Sequence, residues 1–126
     1  MKKATTLFIL LFSTFLCSQE KSNKKEEILF VGNSFTYFWN LPSIVEKMAG
    51  ERGLRWNVTQ STASGATLKQ HWYEEKSLST KQLILNNSFS KVIFQENSKY
   101  PIVAIDTTKK YYDEFIKLIP SNTGIY

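Results

Sequence analysis

Three polar residues in this chain have the type and the position to do chemistry. Ser34 stands just past Ile28-Leu29-Phe30-Val31, a continuous apolar run that stops at Gly32. Asn97 follows a second such stretch, Lys91-Val92-Ile93-Phe94-Gln95. His71, the only histidine, lies between them, six residues after Gly65 in the small-residue run Ser61-Thr62-Ala63-Ser64-Gly65-Ala66-Thr67. Short apolar runs of this kind suit strands buried on both faces. A hydroxyl and an amide delivered to the ends of two such strands sit at the rim of a sheet, where open α/β folds take their ligands. A run of small residues lets backbone come close to backbone or to a ligand. Gly32-Asn33-Ser34 also reads as a plain turn, because all three residues are common in turns.

The elements that would hold these residues alternate along the chain. After the strand Ile28–Val31 comes an aromatic-rich loop, Phe35-Thr36-Tyr37-Phe38-Trp39, which suits either a substrate wall or core packing. Asn40 is placed to cap a helix with Pro42 in its first turn, and Gly53 to end it. Leu41, Ile44, Val45 and Met48 recur there at helical spacing and predict one apolar face. Leu54, Trp56 and Val58 alternate with polar residues as in a half-buried strand near an edge. Leu68 to Leu85 is helical in parts. Asp106 is placed to cap a last helix running through Ile119, with Tyr111, Tyr112, Phe115, Leu118 and Ile119 on its apolar side and Pro120 as its stop. Gly124-Ile125-Tyr126 reads as the start of a fourth strand.

Alternating strands and helices predict a three-layer, flavodoxin-like α/β fold with a parallel sheet. Right-handed crossovers and the apolar first and third strands predict the order 2-1-3 with the first strand central. The winding reverses between strands one and three, so a ligand crevice is expected outside their carboxyl ends. Ser34 and Asn97 belong to those two ends.

Composition narrows the function. The 126 residues are 42% hydrophobic, enough for one small core and not for two domains. The net charge of +5 falls to +3 without Lys2 and Lys3, and the other lysines are scattered, so nucleic acid is not an expected partner. Residues 1–18 read as a signal peptide: Lys2 and Lys3, then the apolar Leu7–Leu16, too short for a membrane span, then Ser18. Export to the periplasm or the exterior is the expectation. Acylation of Cys17 is the alternative, against which Leu16 stands where a small residue is wanted. Residues 19–27 read as a flexible lead and 28–126 as the domain. A single cysteine excludes an internal disulfide, and no cluster has metal-ligand spacing. Asn57-Val58-Thr59 and Asn86-Asn87-Ser88 match the short glycosylation pattern.

Gly32-Asn33-Ser34-Phe35-Thr36 resembles the first block of the SGNH hydrolases, the GDSL-type esterases, with Asn33 in place of their aspartate. Gly65 is similar to the second-block glycine. Gln95-Glu96-Asn97-Ser98 resembles the third block, with only the asparagine kept. The resemblance is closer to a secreted bacterial branch with a Gly-Asn-Ser-Phe-Thr start, a Gly-x-Thr-Leu segment and a Gln-Glu segment, and it covers Ile28 to about Ile119. It implies Ser34 as nucleophile and an oxyanion hole made by the N–H groups of Ser34 and Gly65 and the Asn97 amide. The implied activity is hydrolysis of an ester, of a small molecule or an acyl group on carbohydrate, without a cofactor.

The family's general base, a histidine three residues after an aspartate near the domain's end, has no match here. A C-terminally truncated domain with impaired activity is therefore expected. The alternatives are a non-catalytic secreted binding module and a shortened product without function. For His71 three readings stand: a solvated helix residue beside Trp72, a lining of the crevice, or a replacement base for Ser34. Glu74-Glu75 and Asp113-Glu114 read as solvated faces.

Overall fold

A computed structural model describes residues 24–126. Four parallel strands form one sheet in the order β2-β1-β3-β4: β1 (Lys25–Gly32), β2 (Arg55–Thr62), β3 (Lys91–Phe94) and β4 (Gly124–Ile125). The expected 2-1-3 arrangement is present, and β4 pairs with β3 on its far side. Strand β1 is central because its residues Ile28 to Val31 can be buried on both faces, and all four are.

Two layers of helix cover the sheet. On one side α3 (Leu68–Trp72), α4 (Thr80–Asn86) and α6 (Ile105–Leu118) enclose the core with Leu29, Val31 and Val92. Tyr111 and Phe115 are the buried residues of the last helix, which ends at Leu118, one residue before the expected Ile119, and Phe115 packs edge-on against Trp72 with ring centroids 5.2 Å apart. On β2 lies α2 (Leu41–Glu51). The short helices α1 (Ser34–Tyr37) and α5 (Tyr100–Val103) begin just beyond β1 and β3.

Several sequence expectations are corrected. The lead of residues 19–27 is already strand from Lys25, because Lys25, Glu26 and Glu27 pair in register with Arg55, Trp56 and Asn57. Lys91 also holds the Glu26 carboxylate, which lowers the pKa of that acid. The apolar face expected for α2 is not the buried one. Leu41, Ile44 and Met48 are exposed, while Pro42 and Ala49, with half-buried Val45, turn inward. Asn40 makes no side-chain cap and sits in the left-handed region (φ 56°). Asp106 is not a cap either. It is the second residue of α6, where its charge complements the helix dipole.

Residues 1–23 lie outside the described residues, and with them the signal segment and Cys17. Among the described residues no helix is long and apolar enough to cross a membrane, and no group of acidic, histidine or cysteine side chains could hold a metal ion.

Candidate functional site

The carboxyl ends of β1, β2 and β3 are bound to one another by polar side chains. Gly32 closes β1 where there is no room for a larger residue: a Cβ there would lie 2.1 Å from Thr36 Oγ1 and 2.9 Å from Gln95 Oε1. Its role is close approach, since its φ is not positive. Gln95 Oε1, at the end of β3, accepts from the Asn33 backbone N–H and from the Thr36 hydroxyl, both at 3.2 Å. Asn33 is buried. Its Oδ1 accepts from the Phe35 N–H and starts α1, while its Nδ2 donates to the Ala66 carbonyl at 3.1 Å. The turn after β1 is thus fastened to the loop after β2 and to the end of β3.

Glu96 performs the same task one residue further along. Its Oε1 accepts the N–H groups of Leu68 and Asn97, and its Oε2 accepts from the Thr108 hydroxyl at 3.4 Å. Asn97 then reaches across to donate its amide to the Gly65 carbonyl at 3.3 Å. Gly65 has φ 60°, a left-handed conformation that glycine adopts without a Cβ penalty. Ser34 opens α1 directly after Asn33, half-exposed. Among the described residues, its hydroxyl, its N–H and the Gly65 N–H have no hydrogen-bond partner.

The structure therefore brings Gly65 and Asn97 into direct contact. It sets Ser34 on the neighbouring strand end, directly after Asn33, whose N–H Gln95 holds. Sequence reasoning passed over the side chains that hold this arrangement, Asn33, Thr36, Gln95 and Glu96. Their signal was a polar residue directly following a buried strand, which is where unpaired strand-end groups must find partners.

His71 is fully buried, which overturns the solvated reading. Its Nε2 lies 2.9 Å from the Gly32 carbonyl, which can only accept, so Nε2 carries the proton. Its Nδ1 accepts from the Thr80 hydroxyl at 2.6 Å, and Thr80 in turn accepts from Ser61 at 2.7 Å. Burial pushes its pKa down to about 4. The bond to Gly32 acts the other way, and nearby Lys76 adds to the lowering. Both ring nitrogens are occupied, neither by Ser34, so His71 is not placed as its base. It anchors the last carbonyl of β1 to α3.

Two cavities adjoin the strand ends. One, of about 330 Å³, is lined by polar groups including Gly65, Thr67, Lys69, Gln70, Asn97 and Tyr100. The other, of about 300 Å³, is lined by Ser34, Phe35, Phe38 and Trp39.

No family model matches the chain, and no curated protein matches it. Solved structures do. A protein from Slackia heliotrinireducens described as "a putative SGNH hydrolase" shares 21% identity at a TM-score of 0.66, over 75% of this chain and 50% of that one. A DUF4886 family protein from Bacteroides uniformis shares 12% identity at a TM-score of 0.66, over 81% of this chain and 48% of that one. The fold is SGNH-hydrolase-like, and the chain spans about half the length of these solved structures.

Proposed function

We propose that the chain carries the nucleophile and oxyanion site of a serine hydrolase acting on esters. The observation that supports this reading is the Asn97-to-Gly65 contact beyond the ends of β3 and β2, the strands that flank the one leading into Ser34. In it Ser34 Oγ attacks the ester carbonyl carbon, and the alcohol leaves as the C–O bond breaks. The negative charge that develops on the carbonyl oxygen is met by the N–H groups of Ser34 and Gly65 and by the Asn97 amide proton not used on Gly65. Fixed donors of this kind are worth roughly 10²–10³ in rate each. Water then releases the acyl group from Ser34. No metal or cofactor enters this scheme.

The serine proton needs an acceptor, and no described residue is placed as one. Hydrolysis by these 126 residues alone should therefore be slow, at the level that oxyanion donors and binding sustain without a base, roughly 10³–10⁴ over water. The test is steady-state hydrolysis of p-nitrophenyl butyrate by the purified chain, Ser34→Ala and His71→Asn. Slow turnover lost in Ser34→Ala is expected, with His71→Asn affecting activity only as far as it loosens the fold. Equal rates for the chain and Ser34→Ala would overturn the reading in favour of a binding module.

Export belongs to the same proposal, since esters of extracellular carbohydrate would be met there. Cleavage after Ser18 predicts a mature protein beginning at Gln19, checked by N-terminal sequencing of exported material. Intact Met1 on a cytoplasmic species would contradict it.

A further inference from the structure

We propose that the cavity formed by Phe35, Phe38 and Trp39 is an acyl-chain subsite, and that the substrate is a medium-chain acyl ester of a polyol or sugar. The proposal rests on the reading of Ser34 as nucleophile.

An ester carbonyl attacked by Ser34 and held by Gly65 and Asn97 has two substituents to place. Two cavities are there to receive them, and they differ in chemistry. Ser34 itself lines the one whose other walls are three aromatic side chains. Gly65 and Asn97 line the one whose other walls are lysine, glutamate, glutamine, threonine and tyrosine. The apolar half of an ester is its acyl chain, and the polar half of a polyol ester is its alcohol. Matching each to its cavity puts the chain against Phe35, Phe38 and Trp39, and the hydroxyl-rich leaving group among Lys69, Gln70 and Tyr100. A cavity of about 300 Å³ is larger than an acetyl group requires and admits a chain of several carbons.

The backbone supports a functional origin for this wall. Phe35, Phe38 and Trp39 are 68%, 57% and 84% exposed, an unfavourable display of aromatic surface next to the nucleophile. Trp39 holds a φ of 60°, a left-handed conformation that is costly for a bulky side chain. Such strain persists where a site needs a side chain in a particular place. Phe38 and Trp39 meet edge to face, with ring centroids 5.7 Å apart, which braces the wall.

The test measures binding apart from chemistry. N-octanoylglucosamine and N-acetylglucosamine are amides of the same sugar that differ only in acyl length, and an ester hydrolase leaves them intact over a titration. Calorimetric titration of the chain should show the octanoyl compound binding at least tenfold more tightly than the acetyl one. Trp39→Ala and Phe38→Ala, changes at exposed positions, should each remove most of that preference while the circular dichroism spectrum, measured alongside, stays that of the parent. Equal affinity for the two amides, no saturable binding of the octanoyl compound, or a preference intact in both variants would overturn the subsite. So would self-association of the chain abolished by Trp39→Ala, which would make a second copy the occupant. Octanoyl-selective binding without Ser34-dependent hydrolysis would leave the subsite standing and defeat the hydrolase reading. Ser34-dependent hydrolysis indifferent to chain length would do the reverse.

Discussion

His71 shows how a single residue can be visible in a sequence and still be misread. As the sole histidine near a candidate serine it invites a catalytic role, yet its two nitrogens are spent on Gly32 and Thr80. Its lowered pKa predicts a pH dependence of stability. The unfolded chain binds a proton near pH 6.5 and the folded chain only near 4, so stability is complete above about 6.5 and is lost as the pH falls towards 4. The full loss is on the order of 3 kcal/mol at about 1.4 kcal/mol per unit. Glu26 and Glu27, whose pKa values are lowered by Lys91 and by Asn57 respectively, add acid lability only below their ordinary value of 4.5. Urea unfolding at pH 7.5, 6 and 5 therefore isolates the histidine. The chain should weaken across that range and His71→Asn should not.

Asn33 makes a second residue-level point. The resemblance would have aspartate there, but its Nδ2 donates to the Ala66 carbonyl in a buried site. Asn33→Asp removes that donor and sets a carboxylate against a carbonyl oxygen. A loss of about 1–3 kcal/mol is expected in the same unfolding assay, and an unchanged midpoint would refute the pairing. That Ser34, Gly65 and Asn97 stand just past three strands was legible, because an apolar or alternating run precedes each in chain order. The fastening by Gln95 and Glu96 was not, because which side chain meets which backbone group depends on sheet register.

At the scale of elements, patterns with one strong signal were read correctly. The unbroken apolar run of β1 placed it at the centre; of the five residues expected on the apolar side of the last helix, Tyr111 and Phe115 are buried, Tyr112 and Leu118 half-buried, and Ile119 is buried just past the helix end. Phe115, with no exposed surface and ring contacts to Trp72 and Phe94, is the test of that packing. Phe115→Ala should cost about 3–5 kcal/mol, enough to unfold a marginal domain at ordinary temperature. Retention of a cooperative thermal transition near the parent's would contradict it. The α2 reading failed for an identifiable reason. Periodicity shows that a helix has an apolar stripe, but not that the stripe faces the sheet. Here Pro42 and Ala49 are the buried residues, and Leu41, Ile44 and Met48 remain exposed.

At the scale of the whole molecule, a parallel sheet gathers three separate polar turns at one edge, and side-chain hydrogen bonds fix them in register. This is why an SGNH-like fold could be read from three short, separated motifs while overall identity to the solved structures is only 21% and 12%. The central claim, that Ser34 is an acyl-accepting nucleophile, is tested most directly by trapping. An activated ester needs little help to expel its alcohol, whereas release of the acyl group by water also calls for a base. Incubation with p-nitrophenyl butyrate, followed by peptide mass mapping, should find up to one butyryl group per chain, on Ser34, because its slow release by water limits turnover. Butyrylation confined to lysines, or none at the Ser34 peptide, would contradict the account.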